Sequence, residues 1–550
     1  MKKFLLKFLL TIAALALILS ACAPAAPTEP PANQATEAPE VAAPTTPPTE
    51  PPAPTPEAPV DLEIWVSGRV TEAGPPPEDW VAYDIIKNDL NINLKVVLLP
   101  GTQADQDTKI NTAAASNSLP DLFFVNRDSW FKITEAGLIA NVEEVLPLMP
   151  ERTKTHYSDP NRNNQVTYNG SLYGLADPGN LVQTDAMVIR QDWLDKLGLE
   201  APKTLDDFLA VAKAFTNDDP DGNGKKDTYG LCAFLDGSGL NGAGLGPRFD
   251  FVYGAYGVAG TWNLTSKGDF GLNVRNPNYM KATEFIRTLN EEGVINPDWP
   301  TLKKDDFRVG WKQGKCGMMQ ENFAALSTKS NYADFDANFP DGEWVSFDPP
   351  TGPDGASSAG VTLTPARIYA VSQKAMDEGK GPAIARLLEW MATDGYMLLA
   401  FGEEGVNYKL DANGYVTTEG LADADKWTAK EAQPLTQLAN MVYIFSDIEL
   451  QARYPAYKAE SGREMAPLDY YNAFGKQAYT NSSGAAVINP PANAADFVRF
   501  YSENIVQFVL GQKPLTEEAW AEYIAGLDSL GAKDLEASAL QTLIDTGFIE

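Results

Sequence analysis

From residue 60 the apolar positions alternate. Leu62, Ile64 and Val66 are separated by Glu63 and Trp65, which is the period of a half-buried strand. A Gly/Pro loop at 74–77 follows, then a helical pattern over 79–90 and a second β-rich run over 92–99. After another helical stretch, Leu119-Pro120-Asp121-Leu122-Phe123-Phe124-Val125 is short and mostly apolar, as a strand buried in a parallel sheet is. Strand, helix, strand, helix, strand predicts a doubly wound α/β unit. Ligands of such sheets sit beyond the carboxyl ends of the strands, here 66–69 and 126–130. Trp130 beside Asn126, Arg127 and Asp128 would offer a sugar an aromatic face next to hydrogen-bonding groups. Packing of Trp130 in the core of its own helix is the equal alternative.

Further on, 169–176 reads as one strand opened by turn residues. Thr204 with Asp207 three places later marks a helix start, and Leu205, Phe208, Leu209, Ala212 and Phe215 share one helical face. That helix ends just before Asp219-Pro220-Asp221-Gly222-Asn223-Gly224-Lys225-Lys226-Asp227-Thr228-Tyr229-Gly230. Side-chain oxygens at Asp219, Asp221, Asn223 and Asp227, with the Lys225 carbonyl, can curl around one hard cation, and Ca²⁺ is the natural candidate. Gly224 stands at the sixth place, where such loops turn sharply. The twelfth place is Gly230, so the usual bidentate Glu is missing. A solvated Asn/Asp-Gly turn without metal is the alternative.

Length changes the picture first: 550 residues exceed one core and predict two lobes. A formal charge of −31, from 74 acidic against 43 basic residues, argues against nucleic acid as a partner. Lys2 and Lys3 precede an apolar run over 4–19 that ends Leu19-Ser20-Ala21-Cys22, so 1–21 reads as a bacterial lipoprotein signal and Cys22 as the lipidated residue. The alternative, an uncleaved transmembrane helix, needs a longer apolar run. Residues 22–59 are rich in Pro, Ala, Thr and Glu and cannot bury apolar surface, which makes them an extended tether to the bilayer. The folded part is thus expected outside the cytoplasm, anchored to the bacterial cell membrane.

Enzymatic chemistry has little to build on. His156, the sole histidine, lies in a polar stretch without a nucleophile elbow, and a surface role is expected for it. Neither HExxH, a Cys/His zinc spacing nor GxxxxGK[ST] occurs. A paired-carboxylate glycosidase or lyase remains the alternative, because carboxylates abound. Cys232 and Cys316 lie in apolar, strand-like stretches and are expected as buried free thiols, with a bridge the alternative in an oxidising exterior.

Leu172-Tyr173-Gly174, the run 190–198, Pro202-Lys203-Thr204 and the acidic loop together resemble the extracellular solute-binding proteins, family 1, the ligand-capturing lipoproteins of ATP-driven (ABC) importers. Asn276-Pro277-Asn278-Tyr279, Gly314-Lys315-Cys316-Gly317-Met318-Met319 and Gly402-Glu403-Glu404-Gly405-Val406-Asn407-Tyr408 continue the resemblance, the last being similar to the larger, oligosaccharide-taking subgroup. The resemblance implies an α/β, two-lobed periplasmic-binding-protein-like fold with crossing hinge strands, a ligand cleft between the lobes and closure on binding. Lobe 1 would take 60–185 and about 362–440, and lobe 2 186–361 and about 441–550. It implies a monomer that binds a carbohydrate and delivers it to membrane permease subunits, with a peptide or other solute as alternatives. In alginate-type relatives a loop like 219–230 binds calcium, with an acidic residue where this chain has Thr228. Cleft contacts are implied at Asn322 and Phe323 and among Arg248, Tyr253, Tyr256 and Trp262, with Arg367 and Tyr408 further candidates. For each aromatic, a place in the lobe core is the alternative.

Overall fold

The computed structural model describes residues 58–549 except 69, 151–156, 158–159, 177–182, 236–243, 363–366, 442–446 and 492. Its first alternating run forms β1 (Val60–Val66), burying Leu62, Ile64 and Val66. Helix α1 (Val81–Leu90) leads to β2 (Ile92–Leu98), α2 (Gln103–Ala115) leads to β3 (Leu122–Val125), and α3 (Arg127–Glu135) follows at once. The third strand begins later than the apolar run does. Pro120 has no N–H to donate, and the Asp121 side chain accepts from Glu63 N at 2.8 Å, closing the strand's entrance. Six further strands complete two sheets: β4 (Leu175–Ala176), β5 (Asp185–Arg190), β6 (Tyr229–Leu231), β7 (Cys316–Asn322), β8 (Trp344–Ser346) and β9 (Ile368–Val371).

The first sheet has the order β2-β1-β3-β9-β4, and the second β8-β5-β7-β6. In the first, β1 is parallel to β2 and β3, while β9 runs antiparallel to β3 and β4. In the second, β5 is antiparallel to β7 and β8, and β7 is parallel to β6. The chain leaves the first sheet after Ala176, enters the second at Asp185 and is back in the first at Ile368. The single strand expected over 169–176 is instead a small hairpin followed by β4. Asn169 and Gly170 both take positive φ (49° and 81°), the conformation a two-residue hairpin turn needs.

Strand alternation sends side chains to both faces of each sheet. In the first, Leu62, Ile64 and Leu122 join one core, completed by Ile384, Leu387, Phe401 and Leu438, whereas Phe123 and Val125 join a second with Trp130 and Ile133. In the second, Met187, Ile189 and Met318 face a core completed by Phe497, Tyr501 and Tyr523 from the C-terminal helices. Ala186, Val188 and Met319 face another, closed by Leu450, Tyr471 and Phe474. The helix Leu205–Asn217 starts in the expected capping box, Thr204 and Asp207 each accepting from the other's backbone N–H. Among the described residues no helix is long and apolar enough to cross a membrane.

Candidate functional site

At the carboxyl end of β3 the chain turns directly into α3. Asn126 is spent locally, donating to Asp107 Oδ1 at 2.9 Å, and Ser129 Oγ donates to the same oxygen at 2.9 Å. Asp128 is exposed. Trp130 resolves toward packing: it is wholly buried, its indole N–H donates to Tyr173 O at 2.8 Å, and the Arg127 guanidinium lies 4.3 Å above its ring. A ring so covered has no face for a sugar. Arg127 itself is half-buried, with neither Nε nor Nη1 finding a hydrogen-bond partner. Burial pushes its pKa down to about 10, only partly opposed by the charge of Asp128.

The corresponding corner of the second sheet lies where β5 begins and β7 ends. Asn322 donates to Asp185 Oδ2 at 3.3 Å and accepts from Ala324 N at 3.0 Å, capping the short helix Phe323–Ser327. The Asp185 side chain is 37% exposed and stands 3.7 Å from Arg248 Nη1, and Tyr479 Oη donates to the Asp185 carbonyl. Glu321 behind it is fully buried and takes Arg308 in a two-pronged pair at 3.0 and 3.1 Å. Burial alone would raise the Glu321 carboxyl. The Arg308 hydrogen bond, the charge of Arg248 and the Asn322 amide together outweigh it and hold its pKa below the ordinary value. Asp185, Asn322 and Arg308 are therefore the partly exposed polar groups of a network whose Glu321 and Arg248 are buried. Nothing in the spacing of the sequence marks Asp185 or Tyr479; the pairing of β5 with β7 sets Asp185 opposite Asn322, and Tyr479 reaches the Asp185 carbonyl from 294 positions further on.

Several expected contacts belong to the packing instead. Phe323 is buried between Tyr454 (4.8 Å) and Tyr471 (5.3 Å). Tyr253 lies tilted against Tyr279 at 4.4 Å, Trp262 is stacked on Phe270 at 5.5 Å, and Tyr408 sits beside Phe401, all three buried. Arg248 is buried as well, donating to Gln320 O and lying over Phe234, so it serves as an internal tie and not as a ligand fork. In each case a large side chain in an apolar stretch went to fill its lobe's interior, the commoner fate of such residues. Tyr256 is half-buried, near the charges of Glu284 and Asp206, which with burial raise its phenol pKa. Arg367 is exposed. Arg69, His156 and Cys22 lie outside the described residues.

The acidic loop lies at the opposite end of the second sheet. It runs into β6, whose Tyr229 pairs with Cys316 at the start of β7, and the seven residues of β7 separate it from Asn322 by about 20 Å. Asn223 Nδ2 bridges Asp221 Oδ2 (2.6 Å) and Asp227 Oδ1 (3.1 Å), Asp219 accepts from Gly224 N, and Lys225 N donates to Asn223 Oδ1. Among the described residues no three acidic, histidine or cysteine groups converge at metal-binding spacing. Burial and the charges of Asp227 and Asp219 raise the Asp221 pKa. Beside the loop, Cys232 and Cys316 form a disulfide, with Cα atoms 5.5 Å apart. The expectation of two free thiols is corrected: the bridge joins Cys316, the first residue of β7, to Cys232, just past the end of the neighbouring β6 and 84 positions away in sequence. A cavity of about 560 Å³ opens at this end too, lined by Tyr229, Phe307 and both cysteines, and shares no residue with the Asp185–Asn322 corner.

Two α/β lobes, each built on its own sheet and joined by crossing segments, define the two-lobed class of solute-binding protein. The sequence model of the bacterial extracellular solute-binding proteins matches residues 82–398, and the chain belongs to that family. It is 27% identical over 375 residues to the polygalacturonan/rhamnogalacturonan-binding protein YtcQ of Bacillus subtilis, covering 66% of this chain and 70% of that one. To the fructooligosaccharide ABC transporter substrate-binding protein FusA of Streptococcus pneumoniae it is 32% identical over 228 residues, 38% of this chain and 39% of FusA. The solved structure of an HMO-binding, ABC-transporter-associated solute-binding protein from Bifidobacterium longum infantis superposes with a TM-score of 0.64. It is 18% identical, with 90% of this chain and all of that one covered, which is a likeness of fold.

Proposed function

We propose that this chain is the substrate-binding lipoprotein of an ABC importer, capturing an oligosaccharide between its lobes and delivering it unchanged to the permease. The observation that carries the reading is the corner at which the chain crosses between sheets: Asp185 and Asn322, half-exposed on a rigid ionic base, offer a sugar's hydroxyl groups an acceptor and a donor where two lobes can close on them. The carbohydrate ligands in the names of YtcQ and FusA support it. In this reading 60–185 with about 362–440 act as one lobe and 186–361 with about 441–550 as the other, Cys22 carries the lipid, and 23–59 tether a monomer to the outer face of the membrane. Asp219, Asp221, Asn223 and Asp227 with the Lys225 carbonyl would hold Ca²⁺, which would neutralise the loop's charge at a distance from the ligand.

Incubation of the purified protein with pectic and fructan oligosaccharides tests the reading. Saturable one-to-one binding by calorimetry, with the sugar recovered intact by chromatography, is the expected outcome. Shortened products would make it a paired-carboxylate enzyme, and binding confined to peptides would replace the ligand class.

A further inference from the structure

Phe323, itself buried, braces an aromatic that is not. Its ring meets Tyr454 edge-on at 4.8 Å, with 72° between the planes, and Tyr454 is only half-buried. Beside Tyr454 opens a cavity of about 590 Å³, walled by Tyr454, Pro455, Tyr457 and Pro467 and by the first turns of the helix Lys329–Asn338. Three polar groups lining it are unspent. Among the described residues the exposed Lys329 ammonium has no ion pair, and the Ser330 and Tyr454 hydroxyls have no hydrogen-bond partner. Thr328 next to them, by contrast, is committed to Ala324 O at 2.6 Å and to Asn331 Nδ2 at 2.8 Å.

The place of this cavity in the fold is as informative as its lining. The helix Asp447–Arg453, which leads into Tyr454, puts Leu450 into the second-sheet core that holds Phe323, while Ile448 and Ala452 pack against a core of the first sheet. Its Glu449 accepts from Arg453 and, at 2.8 Å, from the hydroxyl of Tyr396, a member of that same first-sheet core. Tyr454 is thus held where the interiors of the two lobes meet, one ring away from the residue that follows Asn322.

We propose that this cavity is a stacking subsite for one sugar ring of the ligand, an assignment that rests on the carbohydrate-binding reading above. The C–H face of a pyranose lies on Tyr454 between the proline and Tyr457 walls, and its hydroxyl groups meet the Lys329 ammonium and the Ser330 and Tyr454 hydroxyls, which supply donors and acceptors. A purely apolar ligand would use none of those polar groups, and a bare ion would use none of the aromatic wall; a sugar uses both. The stacking role expected of Phe323 passes to Tyr454, with Phe323 as its positioning residue.

The test uses the whole purified chain with galacturonate oligomers and with neutral fructan oligomers. An oligomer that binds is expected to protect Tyr454 from hydroxyl-radical oxidation, read by mass spectrometry. Ala333 is exposed and lines the cavity, so Ala333→Trp fills it from the helix without removing packing. That variant is expected to unfold at the wild-type temperature and to lose roughly tenfold or more in calorimetric affinity. Wild-type affinity in Ala333→Trp overturns the subsite, as does an oligomer that binds and leaves Tyr454 oxidation unchanged, and both results leave the carbohydrate reading standing. Should the variant not fold, the footprint of the unaltered chain decides alone. Protection of Tyr454 by peptides only overturns the sugar assignment of the cavity, and failure of every oligomer to bind removes the carbohydrate reading and the subsite with it.

Discussion

Phe323 shows how far a side chain's chemistry can mislead about its place. As an aromatic at the end of a strand that runs toward the ligand, it looks like a stacking platform, but Tyr454 and Tyr471 enclose it edge-on. Phe323→Ala is therefore expected to destabilise the protein by about 3–5 kcal/mol in denaturant titration, through lost burial and a cavity. Its neighbour Glu321 sets an acid limit. Its folded pKa lies below the unfolded carboxyl value, so the unfolded chain binds the extra proton first, and the stability this group contributes is present above about pH 4.3 and lost as pH falls further. Glu321→Gln is expected to flatten the fall of unfolding free energy in that acid range. At neutral pH it should destabilise by about 3–5 kcal/mol, because Arg308 loses the carboxylate it pairs with. An unchanged acid slope in the variant would remove Glu321 from this role. At this scale residue type was legible and burial was not: Trp130, Tyr253, Trp262 and Tyr408 could each have faced sugar or core, and only their neighbours decide.

Single elements were easier to read, because their causes are local. The capping box at Thr204, the alternation of β1 and the amphipathic helix Pro277–Glu291, which buries Ala282, Ile286 and Leu289, each follow from a few adjacent residues. The acidic loop is likewise local, and its consequence can be measured. Calcium is expected to raise the unfolding temperature of the wild type but not of an Asp219→Asn, Asp221→Asn double variant, and the two should unfold alike in chelator. A loss equal in both conditions would show the carboxylates to be structural without metal. The neighbouring Cys232–Cys316 bridge is different in kind, since it joins positions 84 apart. Replacing both cysteines by Ser is expected to cost about 2–4 kcal/mol in denaturant midpoint analysis. Thiol titration of the unfolded wild type should find neither of them free.

For the whole molecule, the decisive feature is that the chain builds two sheets with separate cores, leaving the first after Ala176 and entering the second at Asp185. In the proposed function, a ligand bridging two such lobes would shift the population toward a closed form. Saturation with a bound oligosaccharide is expected to reduce the radius of gyration measured by small-angle X-ray scattering, and an unchanged radius would count against hinge closure. The sequence by itself determined the local order: the first three strands of the first sheet with the helices between them, the capped helix before the acidic loop, and the resemblance to solute-binding lipoproteins. These depend on periodicity and short motifs, which act over a few residues. Tertiary structure alone decided which aromatics are core, that Cys232 meets Cys316 and that Arg248 is tied inward. Each of those outcomes depends on which distant strands pair, and pairing energy is shared among residues hundreds of positions apart that no local pattern relates.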